Sequence, residues 1–151
     1  MSRPTRRVLP PVWLLVALAA SFALDRWWPM VRLVHAPWKY LGYLPLAFGA
    51  LMAITAAGAF RRAGTPLVPF EPSTALVTGG WFRMTRNPMY LGLTLILFGV
   101  ALIDGTLGAF LPLPVFVAIL HFRFVRGEEK FLEGIFGEDY HRYRLRVRRW
   151  I

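Results

Sequence analysis

The sequence predicts an all-α integral membrane protein with about four transmembrane helices, a C-terminal helical hairpin and an amphipathic cytoplasmic tail. Three observations carry that prediction. The 151-residue chain is 56% hydrophobic with a mean hydropathy of +0.47, and its apolar residues stand in long uninterrupted blocks, which a soluble domain of similar composition seldom shows. Its basic residues collect in the segments between alternate blocks. Beyond Arg123 the apolar residues recur at helical spacing instead of running together.

The first block, Leu9 to Leu24, opens with Pro10-Pro11, tolerated where the first helical amides have no partner. Arg3, Arg6 and Arg7 before it also fit a signal peptide. The small residues Ala17 to Ser21 lie inside the block, however, and bulky Trp27-Trp28 follow, so the segment reads as a retained span. Tyr40 to Phe60 is uncharged, has the roughly 20-residue length of a bilayer core, and ends in Arg61-Arg62; it is the clearest span. The loop from Arg61 to Asn87 is rich in Pro, Gly and Thr and long for a mere connection, and long ordered loops are more often functional.

Pro88 to Ile103 and Thr106 to Phe122 then read as a helical hairpin closed by Asp104-Gly105, its second arm interrupted by Pro112 and Pro114. In the tail, Phe124, Phe131, Leu132 and Ile135 continue the last span as an amphipathic helix, and Gly137 stops it. A second helix starts near Glu138-Asp139, acidic residues at its positive end, with Tyr140, Tyr143 and Val147 on its apolar side. The chain therefore divides, as one membrane domain over 1–151, into an N-terminal span pair (1–60), a cytoplasmic loop (61–87) and the hairpin with its tail (88–151).

Four spans place all but Arg26, Arg32 and Lys39 of the 18 Lys and Arg on one side, and the positive-inside rule assigns that side, with both termini, to the cytoplasm. Trp27, Trp28, Trp38 and Tyr40 form an aromatic belt at the opposite interface. Topology and anionic headgroups account for the net charge of +10 and the pI near 11.2, so the partner is a lipid bilayer and no nucleic acid is expected. The absence of Cys excludes disulfides and thiolate chemistry, and His35, His121 and His141 lack metal-ligand spacing, so no metal is expected. Short loops and Arg/Ala/Pro-rich usage fit a bacterial inner membrane. Oligomeric state is not encoded legibly.

Chemistry gathers in two places. In "WFRMTRNPMYLGL", Arg83, Arg86, the Asn87-Pro88 step and Tyr90 stand where an apolar helix begins. Each has an ordinary structural use: Asn-Pro as a helix start, the arginines as anchors, Tyr90 as an interfacial aromatic. Glu128-Glu129 lie a turn beyond the last span, where carboxylates cost desolvation unless they pair or bind a cation; Arg123, Arg126 and Lys130 are the local partners. The hairpin must bring Arg86 to Tyr90 close to Glu128-Glu129, making a pocket with basic, aromatic and acidic members at the membrane surface. No Ser-His-Asp arrangement, G-x-G-x-x-G or P-loop is present.

"ALVTGGWFRMTRNPMYLG" followed by "GEEKFLEGIFGEDYHRYRLRVRRWI" resembles the isoprenylcysteine carboxyl methyltransferase and phospholipid methyltransferase group of integral membrane enzymes. Their pattern reads approximately L-V-T-x-G-P-[YF]-x-x-x-R-[HN]-P-x-Y-x-G, then E-E-x-x-L…F-G-x-x-Y-x-x-Y. The likeness runs from Thr74 to Ile151; the first two spans match only as hydrophobic spans. It implies S-adenosylmethionine as methyl donor and a lipophilic acceptor, a carboxylate, hydroxyl or amine, at the cytoplasmic membrane face. By position, cofactor contacts would come from Thr74, Ala75, Leu76, Val77, Phe82, Asn87, Pro88, Met89, Tyr90, Glu128 and Glu129. Backbone amides and Asn87 suit the methionyl carboxylate, Tyr90 and Phe82 the adenine or the sulfonium, and Glu128 the ammonium or the ribose hydroxyls. In-line methyl transfer draws most of its rate from positioning and exclusion of water, so no dedicated His is required.

The chain departs from the pattern at three points. Gly80-Trp81-Phe82 replaces the commoner Gly-Pro-Tyr, and Asn87 stands where many members have His. Phe124 occupies the position of the substrate-binding Arg of the isoprenylcysteine enzymes, which leaves the acceptor open; Arg86, Arg123 and Arg126 are the candidates for positioning it. Two other functions share the features. An NADPH-dependent reductase akin to the membrane sterol reductases has a similar turn, on a much longer chain. A non-enzymatic scaffold would use the polar turn only to anchor helix ends.

Overall fold

The structure, a computed structural model, describes residues 9–66 and 73–151; Arg3, Arg6 and Arg7 and loop positions 67–72 lie outside the described residues. Its regular structure is helical: α1 (Pro10–Trp27), α2 (Tyr43–Arg62), entered through the 3₁₀ turn Trp38–Gly42, and α3 (Pro88–Asp104). An apolar helical stretch, α4 (Leu107–Phe136), broken at Leu111, and a short α5 (Glu138–Arg146) complete it. Two stretches, Trp38–Arg62 of 25 residues and Leu107–Phe136 of 30, are long and apolar enough to cross a membrane. Helix α3 is apolar and 17 residues long, and α1, at 18 residues, runs past the expected Leu24 to take in Asp25 and Arg26.

Helices α2 and α3 pack through glycine. Gly49 faces Gly92 and Gly42 faces Gly99, so closely that a Cβ on Gly49 would stand 2.5 Å from the Gly92 carbonyl oxygen and one on Gly92 2.6 Å from that of Gly49. Without a hydrophobic driving force between helices in lipid, such close backbone approach is what small residues supply. Helix α1 lies across α3 and α4 through Leu14, Ala17, Leu97, Phe116 and Leu120, and fully buried Ser21 donates a 2.8 Å hydrogen bond to the Ala109 carbonyl. Outward, Leu15, Phe22, Leu44 and Ile54 are exposed, each at 65% or more, a surface suited to lipid.

The hairpin turns where expected. Gly105 caps α3 in the left-handed region at φ 79°, and its carbonyl accepts from the Leu33 and Val34 amides at 2.8 and 3.0 Å. The second arm is interrupted at its prolines, as the sequence reading held: a first helical turn, Leu107–Phe110, ends at Leu111. The helix restarts at Leu111, which puts Pro112 and Pro114 in a fresh first turn, where a missing amide forfeits no bond. A π-helical turn, Leu120–Val125, follows and leads into the amphipathic end of α4. Gly137, at φ 50°, ends α4 and admits α5. Trp27, Trp28, Trp38 and Tyr40 are all exposed around the hairpin end of the bundle.

Candidate functional site

At the other end, a cavity of about 420 Å³ opens among α2, α3, α4, α5 and the loop before α3. That is within the range of small-molecule pockets, about 300–1,000 Å³. Its floor is a second apolar cluster in which Ala56 of α2, Phe82, and Tyr140, Tyr143 and Val147 of the tail pack together. Phe82 rides on the 3₁₀ turn Gly80–Arg83, and the Tyr143 hydroxyl donates to its carbonyl at 2.7 Å, tying the tail to the loop. Burial raises the Tyr140 and Tyr143 phenols above the ordinary tyrosine range, so both stay neutral. Ala53, Ile54, Ala57 and Phe60 of α2 and Leu76, Val77, Met89 and Leu132 supply apolar walls.

The polar wall comes from both arms of the hairpin. The Tyr90 hydroxyl, at the start of α3, donates to Glu128 Oε1 in α4, and Phe124, one turn before Glu128, sits against the Tyr90 ring with centroids 6.2 Å apart. Glu129 points elsewhere: Arg149 Nε and Nη2 grip its two oxygens at 2.9 and 2.7 Å, and Arg86 Nη1 lies 3.4 Å away. The local partners expected for the two glutamates are therefore not the ones used. Arg123 lies over the Trp13 ring and Arg126 over Phe122, both exposed, because they leave α4 on the side away from the cavity.

Asn87 precedes Pro88 of α3, as the helix-start reading requires, but its side chain makes no cap. Its Nδ2 donates instead to the Arg149 carbonyl at 2.9 Å. Of the residues that resemblance assigns to the cofactor, Ala75, Leu76, Val77, Phe82, Asn87, Pro88, Met89, Tyr90, Glu128 and Glu129 line the cavity. Thr74 does not; its amide and hydroxyl are bonded to Thr65 Oγ1 and the Gly64 carbonyl at 3.1 and 3.2 Å, which closes the loop. Among the acceptor candidates Arg86 lines the cavity, and Arg123 and Arg126 do not.

The sequence pattern of the phospholipid methyltransferase family matches residues 38–139. The chain belongs to that family. The match reaches back over α2, which the motifs alone did not include, and it covers both arms of the hairpin and the Arg86–Tyr90 turn. The phospholipid methyltransferase family consists of membrane proteins, and membership implies methyl transfer to lipid-type substrates. An uncharacterized protein of Haemophilus influenzae is 40% identical over 63 residues, which is the whole of that protein and 42% of this chain. No solved structure matches the chain.

Sequence reasoning missed the C-terminal strap. The Arg148 carbonyl accepts from the Arg86 amide at 2.9 Å, the Arg149 carbonyl accepts from Thr85 Oγ1 at 3.2 Å as well as from Asn87, and Trp150 stacks on His121. Nothing local marks Arg149 among its basic neighbours. The contribution of α2 to the walls was equally hidden, since Ala53, Ile54 and Ala57 read only as span residues.

Proposed function

We propose that the protein transfers a methyl group from S-adenosylmethionine to a lipophilic acceptor, a carboxylate, hydroxyl or amine, at the cytoplasmic face of the membrane. It is then a methyltransferase of the isoprenylcysteine carboxyl methyltransferase-like type. The observation that carries the reading is the junction of Tyr90 with Glu128 at the wall of a mainly apolar cavity, inside the segment that defines the family. Family members generally use this donor.

The residues present fit such a ligand. Glu128 keeps an oxygen not engaged by Tyr90 for a hydroxyl or ammonium, Phe82 and Met89 offer flat or polarizable surface, and Arg86 supplies positive charge. When bound, the cofactor supplies a methyl group activated on a sulfonium. The chain's part is to orient and to exclude water: Tyr90 fixes the Glu128 carboxylate, and Leu76, Val77 and Leu132 keep the cavity apolar. In this reading 1–151 is one membrane domain with four spans, α1 to α4, and both termini are cytoplasmic. A bacterial inner membrane is the setting this reading proposes.

The test is calorimetric titration of the detergent-purified protein with S-adenosylhomocysteine, with Glu128→Ala and Tyr90→Phe checked for folding by circular dichroism. Binding that both substitutions weaken is expected. A folded wild type that binds neither this product nor the donor sinks the reading.

A further inference from the structure

Arg86 is the only Arg or Lys among the described residues that line the cavity. Its side chain is 9% exposed, yet its Nε and Nη1 are buried without a hydrogen-bond partner. A buried guanidinium with idle donors is costly unless something anionic meets it. The obvious candidate is Glu129, but the 3.4 Å contact lacks hydrogen-bond geometry.

Glu129 is held away by Arg149, whose fork takes both its oxygens at 2.9 and 2.7 Å, the strong bidentate form of this pair. Arg149 is placed for that grip by its own carbonyl, to which Asn87 Nδ2 donates at 2.9 Å, and by the neighbouring bond from the Arg86 amide to Arg148. Two cations thus share one carboxylate, and the surplus positive charge stands at the cavity wall. Tyr140 is the other polar group beside Arg86; its oxygen is placed to accept from the guanidinium, but burial keeps the phenol neutral, so it brings no negative charge to match the cation.

We propose that Arg86 receives a carboxylate of the bound ligand, and that Arg149 is a positioning residue that keeps Arg86 available by engaging Glu129. The proposal rests on the methyl-donor reading for one of two sources of that carboxylate: the methionyl end of the cofactor, or the head of a fatty acceptor. The chemistry at Arg86 is the same for both.

The experiment titrates detergent-purified wild type with S-adenosylhomocysteine, its decarboxylated analogue, dodecanoate and dodecanol. The same four ligands are run on Arg86→Gln, Arg149→Gln and the double variant Arg149→Gln/Glu129→Gln, with Arg142→Ala as a charge control. Wild type should prefer one carboxylate ligand over its partner lacking the group by about tenfold or more, as a charge-assisted hydrogen bond gives. Arg86→Gln should abolish that preference. Arg149→Gln should reduce it, because Glu129 then pairs with Arg86, and the double variant, with no carboxylate to recapture Arg86, should restore it.

Restoration is an outcome that a merely structural role for Arg149 does not produce. If Arg149→Gln does not fold, Arg149→Lys should give the same ordering at smaller amplitude, because it keeps the charge and loses the fork. A preference on the nucleoside pair places the carboxylate on the cofactor, and one on the fatty pair places it on the acceptor; either supports the proposal. Equal affinities within both pairs, or a preference indifferent to Arg86 or not restored in the double variant, overturn it. Nucleoside binding without that dependence leaves the methyl-donor reading standing, and fatty-acid dependence without nucleoside binding removes the donor reading alone.

Discussion

Replacing Gly92 by alanine tests how the bundle is held. The added Cβ would lie 2.6 Å from the Gly49 carbonyl oxygen, 2.9 Å from the Ala53 amide nitrogen and 3.0 Å from the Ala53 Cβ. A carbon–oxygen contact relaxes near 3.3 Å, so α2 and α3 must part by roughly 0.7 Å at this level. The two nearest obstacles are backbone and the third is a Cβ fixed to it, so none can rotate aside. Overpacking of this kind costs about 1–3 kcal/mol, and in a chain of this length each kcal/mol lowers the unfolding midpoint by roughly 2–4 °C. Ala53 and Ile54 of α2 and Met89, Tyr90 and Leu93 of α3 line the cavity, so the same displacement should loosen the ligand. The assay is thermal unfolding in detergent beside Gly134→Ala, where a Cβ meets nothing within 4 Å and helix propensity gains about 0.5–1 kcal/mol. If Gly92→Ala melts as high as Gly134→Ala, the glycine seam does not set the distance between the helices.

Three further outcomes follow from the contacts described. Ser21→Ala removes the bond from a fully buried hydroxyl to the Ala109 carbonyl and should cost about 1 kcal/mol of stability in the same melting assay. Tyr143→Phe removes the 2.7 Å bond to the Phe82 carbonyl; a loss of about 1 kcal/mol is expected, read together with weaker binding of S-adenosylhomocysteine as the Phe82 turn loosens. Alkaline titration should destabilise the fold. Tyr140 and Tyr143 ionise later when folded than when unfolded, so the unfolded chain loses its protons first, and stability declines as pH rises beyond the ordinary tyrosine value near 10. A melting midpoint flat across that range would contradict their burial.

What the sequence made legible was local. The Asp104-Gly105 reversal, the stop at Gly137 and the helical spacing of the tail depend on a residue and its near neighbours, and the structure has them where the pattern places them. What stayed hidden depended on distant partners. The Gly42, Gly49, Gly92 and Gly99 seam is visible as two pairs seven residues apart, but only the antiparallel docking of α2 on α3 makes it a contact. Pro112 and Pro114 announce the break in the second arm, but not that the helix restarts at once from Leu111 and resumes as one apolar stretch. The adjacent glutamates show the limit most sharply. Consecutive residues on a helix point about 100° apart at 3.6 residues per turn, so Glu128 and Glu129 cannot share one partner. Glu128 meets Tyr90 from the other arm of the hairpin, and Glu129 turns toward Arg86 and Arg149. Five arginines crowd the last ten residues, and spacing gives no reason to choose Arg149. Its choice follows from the Arg86-Asn87 turn, whose amide and Asn87 side chain hold the strap's carbonyls, so that one segment both offers the ligand a cation and fixes the residue that leaves that cation available.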